Sequence, residues 1–178
     1  MAKKQHPAAL ESKRLIQNAL METLRYKGFQ DITVSEICDK ANVSRRTFYR
    51  HYKNTVEVLE KASSMIIDGF SKALEARNNH CERAFLLGYF EFWELHKEML
   101  IILSKNNLIH LLFMPGMLAF AKFQQSNLDD IQLIFDYGGL WSVLTFWLNS
   151  PGLKLKPTDI VDNLLAGSKI IENRSCLQ

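Results

Sequence analysis

Between Thr33 and Lys53 the chain has to make two short helices with a sharp break between them, and nothing else in it is as restrictive. Thr33 stands three residues before Glu36, the spacing of a capping box. In that device the hydroxyl accepts from a free amide of the first turn while the carboxylate reaches back to the cap amide. Val34, Ile37 and Ala41 follow at i, i+3 and i+7, so the first helix has one apolar face. Asn42 tolerates a left-handed backbone and ends it. Val43 turns inward, and Ser44 caps a second helix expected from Arg45 to about Tyr52.

On a wheel of 100° per residue, Phe48 and Tyr52 mark the buried side of that second helix. Arg46 and Arg50 point the opposite way, with Thr47 beside them. Arg45 and Tyr49 share one flank and His51 lies on the other. Guanidinium forks suit guanine edges and phosphate oxygens, a threonine methyl suits a thymine methyl, and a tyrosine hydroxyl suits phosphate. A basic helical face alone is usually just solvated surface. Here the caps, the break and the basic face all describe one geometry, a braced helix for the major groove of DNA.

The charge distribution points the same way. Residues 1–54 hold 11 Lys or Arg against 5 Asp or Glu, whereas residues 55–178 hold 11 against 14, a net of +6 against −3. A basic end of that kind is the electrostatic footprint of nucleic-acid binding. Lys3, Lys4, Lys13 and Arg14 form an arm or first turn able to reach phosphate, although Lys3 and Lys4 read equally well as a frayed tail. Cys38, Cys81 and Cys176 are an odd number without metal-like spacing, which implies free thiols in a reducing cytoplasm. The N-terminus lacks the apolar core of a signal peptide. The most apolar stretch, Leu108 to Ala121, is broken by His110 and Pro115 and is too short to span a bilayer, so no membrane partner is expected.

The rest of the chain is helical in pattern. Its 178 residues contain four prolines, 47% are hydrophobic, and 3.6-residue periods dominate over alternation. The fold class is therefore all-α. A first helix is expected from Pro7 to Lys27, ended by Gly28, and a fourth begins after Asn54, with Glu57 closing a second box, and runs to about Asn78 on Val56, Leu59, Ile66 and Phe70. Phe85, Tyr89, Phe92 and Trp93 lie on a fifth helix between His80 and Leu95, and His96–Asn106 is a short sixth. Leu108–Gln125 is expected to kink near Pro115-Gly116, Asn127–Asn149 to be a long eighth helix, and Thr158, after a Pro151-Gly152 turn, to cap a ninth that carries Ile170. Gly138, Ser142, Thr145 and Asn149, with Gly139 alongside, make a stripe of small residues that either forms an internal packing groove or admits another helix closely.

From Gly28 to Leu59 the chain resembles the TetR family of transcriptional regulators. Gly28, Thr33, Ala41, Val43, Ser44, Thr47, Phe48, Tyr49 and His51 match the family pattern, and Tyr52 replaces a phenylalanine. Asn42 stands where a glycine is usual, and Thr55 where a lysine commonly opens the fourth helix, so the phosphate contact passes to Lys53. The resemblance implies about nine helices in two domains, a three-helix DNA-binding head over residues 1–54 and a helical dimerisation body over residues 55–178. Thr33, Ser35, Ser44, Arg45, Arg46, Thr47, Tyr49, Arg50, His51 and Lys53 are expected at double-stranded DNA.

It also implies a homodimer through the last two helices, with Gly138, Gly139, Ser142, Thr145, Ile160 and Leu164 at the interface. The Tyr137-Gly138-Gly139-Leu140-Trp141 and Phe146-Trp147-Leu148 runs resemble one branch of the family. Family bodies commonly hold an apolar or aromatic effector, for which Phe85, Tyr89, Trp93, His110, Phe113, Met114, Met117 and Phe120 are at hand, although aromatics at this spacing also read as plain core. The implied function is repression at a palindromic operator. The alternative is a TetR-like co-activator that grips another regulator. No phosphate loop, metal cluster or nucleophile elbow marks an enzyme, and no cofactor or metal is expected.

Overall fold

The structure is a computed structural model and describes residues 7–76, 81–150 and 154–175, with side chains up to Gly167. Lys3, Lys4, Asn78, His80, the Pro151-Gly152 turn, the Ile170 side chain and Cys176 lie outside the described residues. Among those described there are nine α-helices and no strand. In order they are α1 (Pro7–Thr23), α2 (Val34–Ala41), α3 (Arg45–His51), α4 (Thr55–Ala76), α5 (Glu82–Leu95), α6 (Lys97–Lys105), α7 (Phe113–Gln124), α8 (Ile131–Asn149) and α9 (Pro157–Ser175). Short 3₁₀ turns fall at Phe29–Asp31 and Ile109–Leu112.

The chain divides into two compact units. The first is Met1–Ile67 with Ile102–Leu112, and the second is Asp68–Ile101 with Phe113–Gln178. The sequence suggests a boundary after residue 54, whereas the first unit extends to Ile67 and also takes in residues 102–112.

In the first unit α1 packs on α2 and α3 through a core that includes Ile16, Leu20, Ile37 and Phe48, all without exposed surface. Cys38 is buried there too, and burial pushes its thiol pKa up. α4 opens as the sequence predicts, since Asn54 Oδ1 accepts from the Glu57 amide at 2.9 Å, although the Glu57 carboxylate turns back to the Lys53 amide at 2.7 Å. Val56 is 46% exposed, and Val58 takes the core position expected of it. The Asn106 amide group donates to the Leu24 carbonyl at 3.0 Å and to the Ile102 carbonyl at 2.9 Å. Carbonyls at the end of a helix have no partner within it, so Asn106 satisfies one such group where α1 runs out.

In the second unit Phe70 meets Tyr89, Phe92 and Trp93 at centroid distances of 5.7, 5.4 and 5.3 Å, which makes α4 and α5 one aromatic layer. α5 also packs against α9, where Arg83 is ion-paired with Asp162, and α7 packs against α8. Trp147 stands edge-on to Phe90, lies under the Lys97 ammonium, and donates its indole N–H to the Leu155 carbonyl at 3.1 Å.

Three helix starts differ from expectation, each for a local reason. Pro115 does not kink a helix. It sits in the first turn of α7, where a missing N–H costs nothing, and the irregular part precedes it as the Ile109–Leu112 turn. α8 starts at Ile131 rather than Asn127 because Asp130 accepts from the Gln132 amide at 3.0 Å and from the Ser126 hydroxyl at 2.7 Å. Thr158 does not cap α9. Pro157 is the first helical residue, and Asp159 accepts from the Lys156 amide at 2.9 Å.

Among the described residues α8, not Leu108–Ala121, is long and apolar enough by length and composition to cross a bilayer. The structure accounts for its composition differently. Leu133, Tyr137, Leu144, Trp147 and Leu148 are buried along one side, and Ile131, Phe135 and Phe146 are exposed on the other.

Candidate nucleic-acid interface

The helix pair at residues 33–52 is held by short-range hydrogen bonds that its sequence encodes. Thr33 accepts from the Glu36 amide at 3.3 Å, and Glu36 Oε2 accepts from the Thr33 amide at 2.8 Å and its hydroxyl at 2.9 Å. The other carboxylate oxygen takes the Lys27 ammonium at 2.5 Å. That ammonium first, then the Thr33 amide and hydroxyl, lower the Glu36 pKa to about 2. A second brace joins Lys40 on α2 to the chain after α1. Its ammonium stands 5.0 Å from the Tyr26 ring centroid, donates to the Tyr26 hydroxyl oxygen at 3.1 Å, and pairs with Glu22 at 3.3 Å. Lys27 and Lys40 are therefore occupied inside the head. Neither brace is visible as a sequence motif, because each joins residues separated by a turn.

The break between α2 and α3 has the expected geometry. Asn42 is left-handed at φ 51°, ψ 47°, and the Val43 amide donates to the Cys38 carbonyl at 3.0 Å. Ser44 Oγ accepts from the Thr47 amide at 3.1 Å and starts α3. The helix ends at His51, and the Tyr52 amide donates back to Phe48 at 2.9 Å. Phe48 and Tyr52 are buried with ring centroids 5.9 Å apart, and they set the rotation of α3 on the head.

That rotation decides which side chains remain outside. Arg45, Arg46, Tyr49 and Arg50 are exposed, as are Ser35, Thr33, Ser44 and Lys53 on neighbouring positions. Among the described residues none of Arg45, Arg46, Arg50 or Lys53 is in an ion pair. Two of the expected contact residues are less free. Thr47 is half-buried and its hydroxyl is 3.0 Å from that of Ser44. His51 is half-buried, with Nε2 buried and lacking a partner among the described residues. Burial first, then the Arg50 and Lys13 charges, lower its pKa.

The other expected sites also sort by burial. On α8, Gly139 and Ser142 are exposed and Gly138 and Thr145 half-buried, whereas Ile160 on α9 is buried within its own unit and Leu164 is half-buried. Of the residues suggested for a ligand, Phe85, Tyr89, Trp93, Phe113, Met117 and Phe120 belong to the second unit. His110 does not join them. It is exposed and lies on the 3₁₀ turn that belongs to the first unit, and Met114 is exposed on α7.

A three-helix head with a capped, basic and outward-facing second helix defines a helix-turn-helix protein. Residues 16–62 match the family described as bacterial regulatory proteins, tetR family. The match lies in the head, and over those residues the chain is similar to that family. A stretch of 71 residues is 31% identical to an uncharacterized HTH-type transcriptional regulator, YxbF, of Bacillus subtilis, covering 40% of this chain and 19% of that protein. The match thus spans about a fifth of the length of that curated relative. The fold as a whole is similar to Lin0861 of Listeria innocua, with a TM-score of 0.75 at 13% identity over 96% of each chain. It is also similar to a TerR/AcrR-family transcriptional regulator of Aquifex aeolicus, with a TM-score of 0.66 at 20% identity over 90% of this chain and 99% of the other.

Proposed function

We propose that this protein is a transcriptional repressor that binds a palindromic DNA operator as a homodimer in the cytoplasm, with α3 of each copy in the major groove. The observation that carries this reading is the arginine set of α3. Three guanidinium groups stand in solvent on a helix that Phe48 pins from behind, and no carboxylate of the described residues neutralises them. Arg46 and Arg50 are assigned to base edges or phosphates in the groove. Arg45, Tyr49 and Lys53 are assigned to backbone phosphates together with the Ser35 and Ser44 hydroxyls.

The homodimer reading is supported by α8. Phe135 is 75% exposed and Phe146 63%, and a side chain added at Gly138 or Gly139 would meet nothing within 4 Å. The polar members of the same stripe are already satisfied on their own helix. Ser142 donates to the Gly138 carbonyl at 2.8 Å, Thr145 to Trp141 at 2.9 Å, and Asn149 to Thr145 at 2.8 Å. Such a face can be covered by a second copy without stranding a polar group. Beside it a groove of ≈ 360 Å³, lined by Val143, Phe146, Trp147, Leu155, Ile160, Asn163 and Leu164, can receive an apolar side chain of the other copy. Two copies then offer two recognition helices to successive major grooves, about 34–36 Å apart or a multiple of it. The aromatic body is assigned to an apolar effector that favours one separation of the heads, and a preference of about 1–3 kcal/mol suffices for control.

The test is fluorescence anisotropy on operator fragments selected from random DNA, over a salt series. Arg46→Ala and Arg50→Ala are each expected to weaken specific binding by about 1–3 kcal/mol while leaving the unfolding midpoint unchanged. Full affinity in both variants overturns the placement of α3. Binding that depends on salt but not on sequence overturns the operator.

A further inference from the structure

Thr47 stands among the outward arginines of α3, yet its hydroxyl is engaged within the helix. It lies 3.0 Å from the Ser44 hydroxyl, and the Thr47 amide donates to the same Ser44 oxygen at 3.1 Å. A helical threonine has two accessible side-chain rotamers, chosen by where its hydroxyl bonds. The Ser44 contact selects one of them, so the Thr47 methyl is held in a fixed place. At 100° per residue Thr47 follows Arg46 and Arg50 round the helix and precedes His51. Arg46 and Arg50 are exposed, whereas Thr47 and His51 are half-buried. Thr47 therefore stands at the rim of the exposed face, next to Arg50, with the rotation of the helix set by the burial of Phe48.

Such a side chain offers different chemistry from its neighbours. Arg46 and Arg50 bring long forks of N–H donors that reach hydrogen-bonding edges and phosphates. Thr47 is short and tied to the start of its own helix. Its hydroxyl meets a groove with the Ser44 bond to share or break, whereas its methyl has no bond to lose. In the major groove thymine carries a methyl group of its own at C5, where cytosine carries hydrogen, and a threonine methyl is among the apolar groups that fit it. Contact between the two methyls removes apolar surface from water on both sides and strands no polar group.

We propose that Thr47 is a specificity-determining residue of α3, and that it selects thymine at one position of each half-site through its methyl group rather than its hydroxyl. This rests on the placement of α3 in the major groove and adds the base that is read beside Arg50. Deoxyuridine tests it, because it pairs as thymine does and lacks only the C5-methyl. Each thymine of the selected operator is replaced in turn by deoxyuridine, and anisotropy is read with the unaltered chain, Thr47→Ser and Thr47→Val. For the unaltered chain one thymine per half-site should show a loss of about fourfold, the worth of burying one methyl group. Thr47→Ser keeps the hydroxyl that meets Ser44 and should bind the thymine and deoxyuridine operators equally at that position. Thr47→Val keeps a methyl and should retain the loss. Absence of any deoxyuridine effect in the unaltered chain overturns the proposal, as does discrimination that survives in Thr47→Ser. A fall of about tenfold or more in Thr47→Val, with its unfolding midpoint held, assigns the reading to the hydroxyl and overturns it too. Arg46→Ala and Arg50→Ala keep the two readings apart. Full affinity in both takes α3 out of the groove, whereas weakened binding in them without a deoxyuridine effect removes the thymine contact alone.

Discussion

Glu36 takes three donors from two residues, Lys27 and Thr33, with one carboxylate, and this makes the head sensitive to acid. Its folded pKa of about 2 lies below the ordinary 4.5, so the ionised form is the one that folding favours. The stability it contributes is complete above about pH 4.5 and is lost as pH falls through that range toward 2. Glu36→Gln should flatten the dependence of the unfolding midpoint on pH in that window and leave the slope above pH 6 unchanged. A chemical denaturation series from pH 7 to pH 2.5 measures it, and an identical acid slope in the variant would remove Glu36 from the account. The Thr33–Glu36 half of this unit is legible from residue spacing alone. The Lys27 half is not, because nothing in the sequence says that the turn after α1 folds back over the start of α2. His51 shows the same limit from the other side. Its position in the family pattern suggests a contact residue, and only the packing reveals that Nε2 points inward.

At the scale of the helix, α3 is seven residues long and too short to persist without tertiary support. Its position depends on the Ser44 cap and on the burial of Phe48. Phe48→Ala should cost about 3–5 kcal/mol, enough to loosen the head. Hydrogen exchange on α2 and α3 would then speed up, while α7 and α8, in the other unit, keep their protection. Uniform loss across the chain would show that the two units unfold together. Helix starts were readable at Thr33, Ser44 and Asn54, where a short polar side chain accepts from the amide three residues on, and missed at Asp130, where the cap lies three residues past the expected Asn127. Reading fails at α7 and α9, where a proline within the first turn serves as the start signal. Fixed φ and a dispensable N–H make proline a helix opener there, whereas the same residue inside a helix breaks it.

At the scale of the whole molecule the argument turns on what covers α8. Ile131, Ile134, Phe135 and Phe146 leave apolar surface in water, and Gly138, Gly139, Ser142 and Thr145 between them are small or hydrogen-bonded within the helix. If α8 carries the proposed dimer contact, Phe135→Glu should give a monomer in sedimentation experiments where the unaltered chain gives a dimer, and weaken operator binding along with it, with α3 untouched. A variant that remains dimeric and binds normally would place the dimer contact elsewhere. The stripe itself was legible as a run of small residues, but whether it lay inside the subunit or outside it was not, since periodicity describes a face and not its neighbour.

Local chemistry sufficed for what depends on neighbours along the chain. The helical class, the break at Asn42, the outward arginines of α3 and the basic first third of the sequence all follow from caps, periods and charge. Long-range packing alone decided the rest. It assigned residues 102–112 to the first unit, put His110 in solvent, and buried Tyr89, Trp93 and Tyr137 completely in the second. The physical reason is that a capping hydrogen bond spans three or four residues, whereas burial is set by contacts between segments whose separation in sequence carries no signal of their meeting.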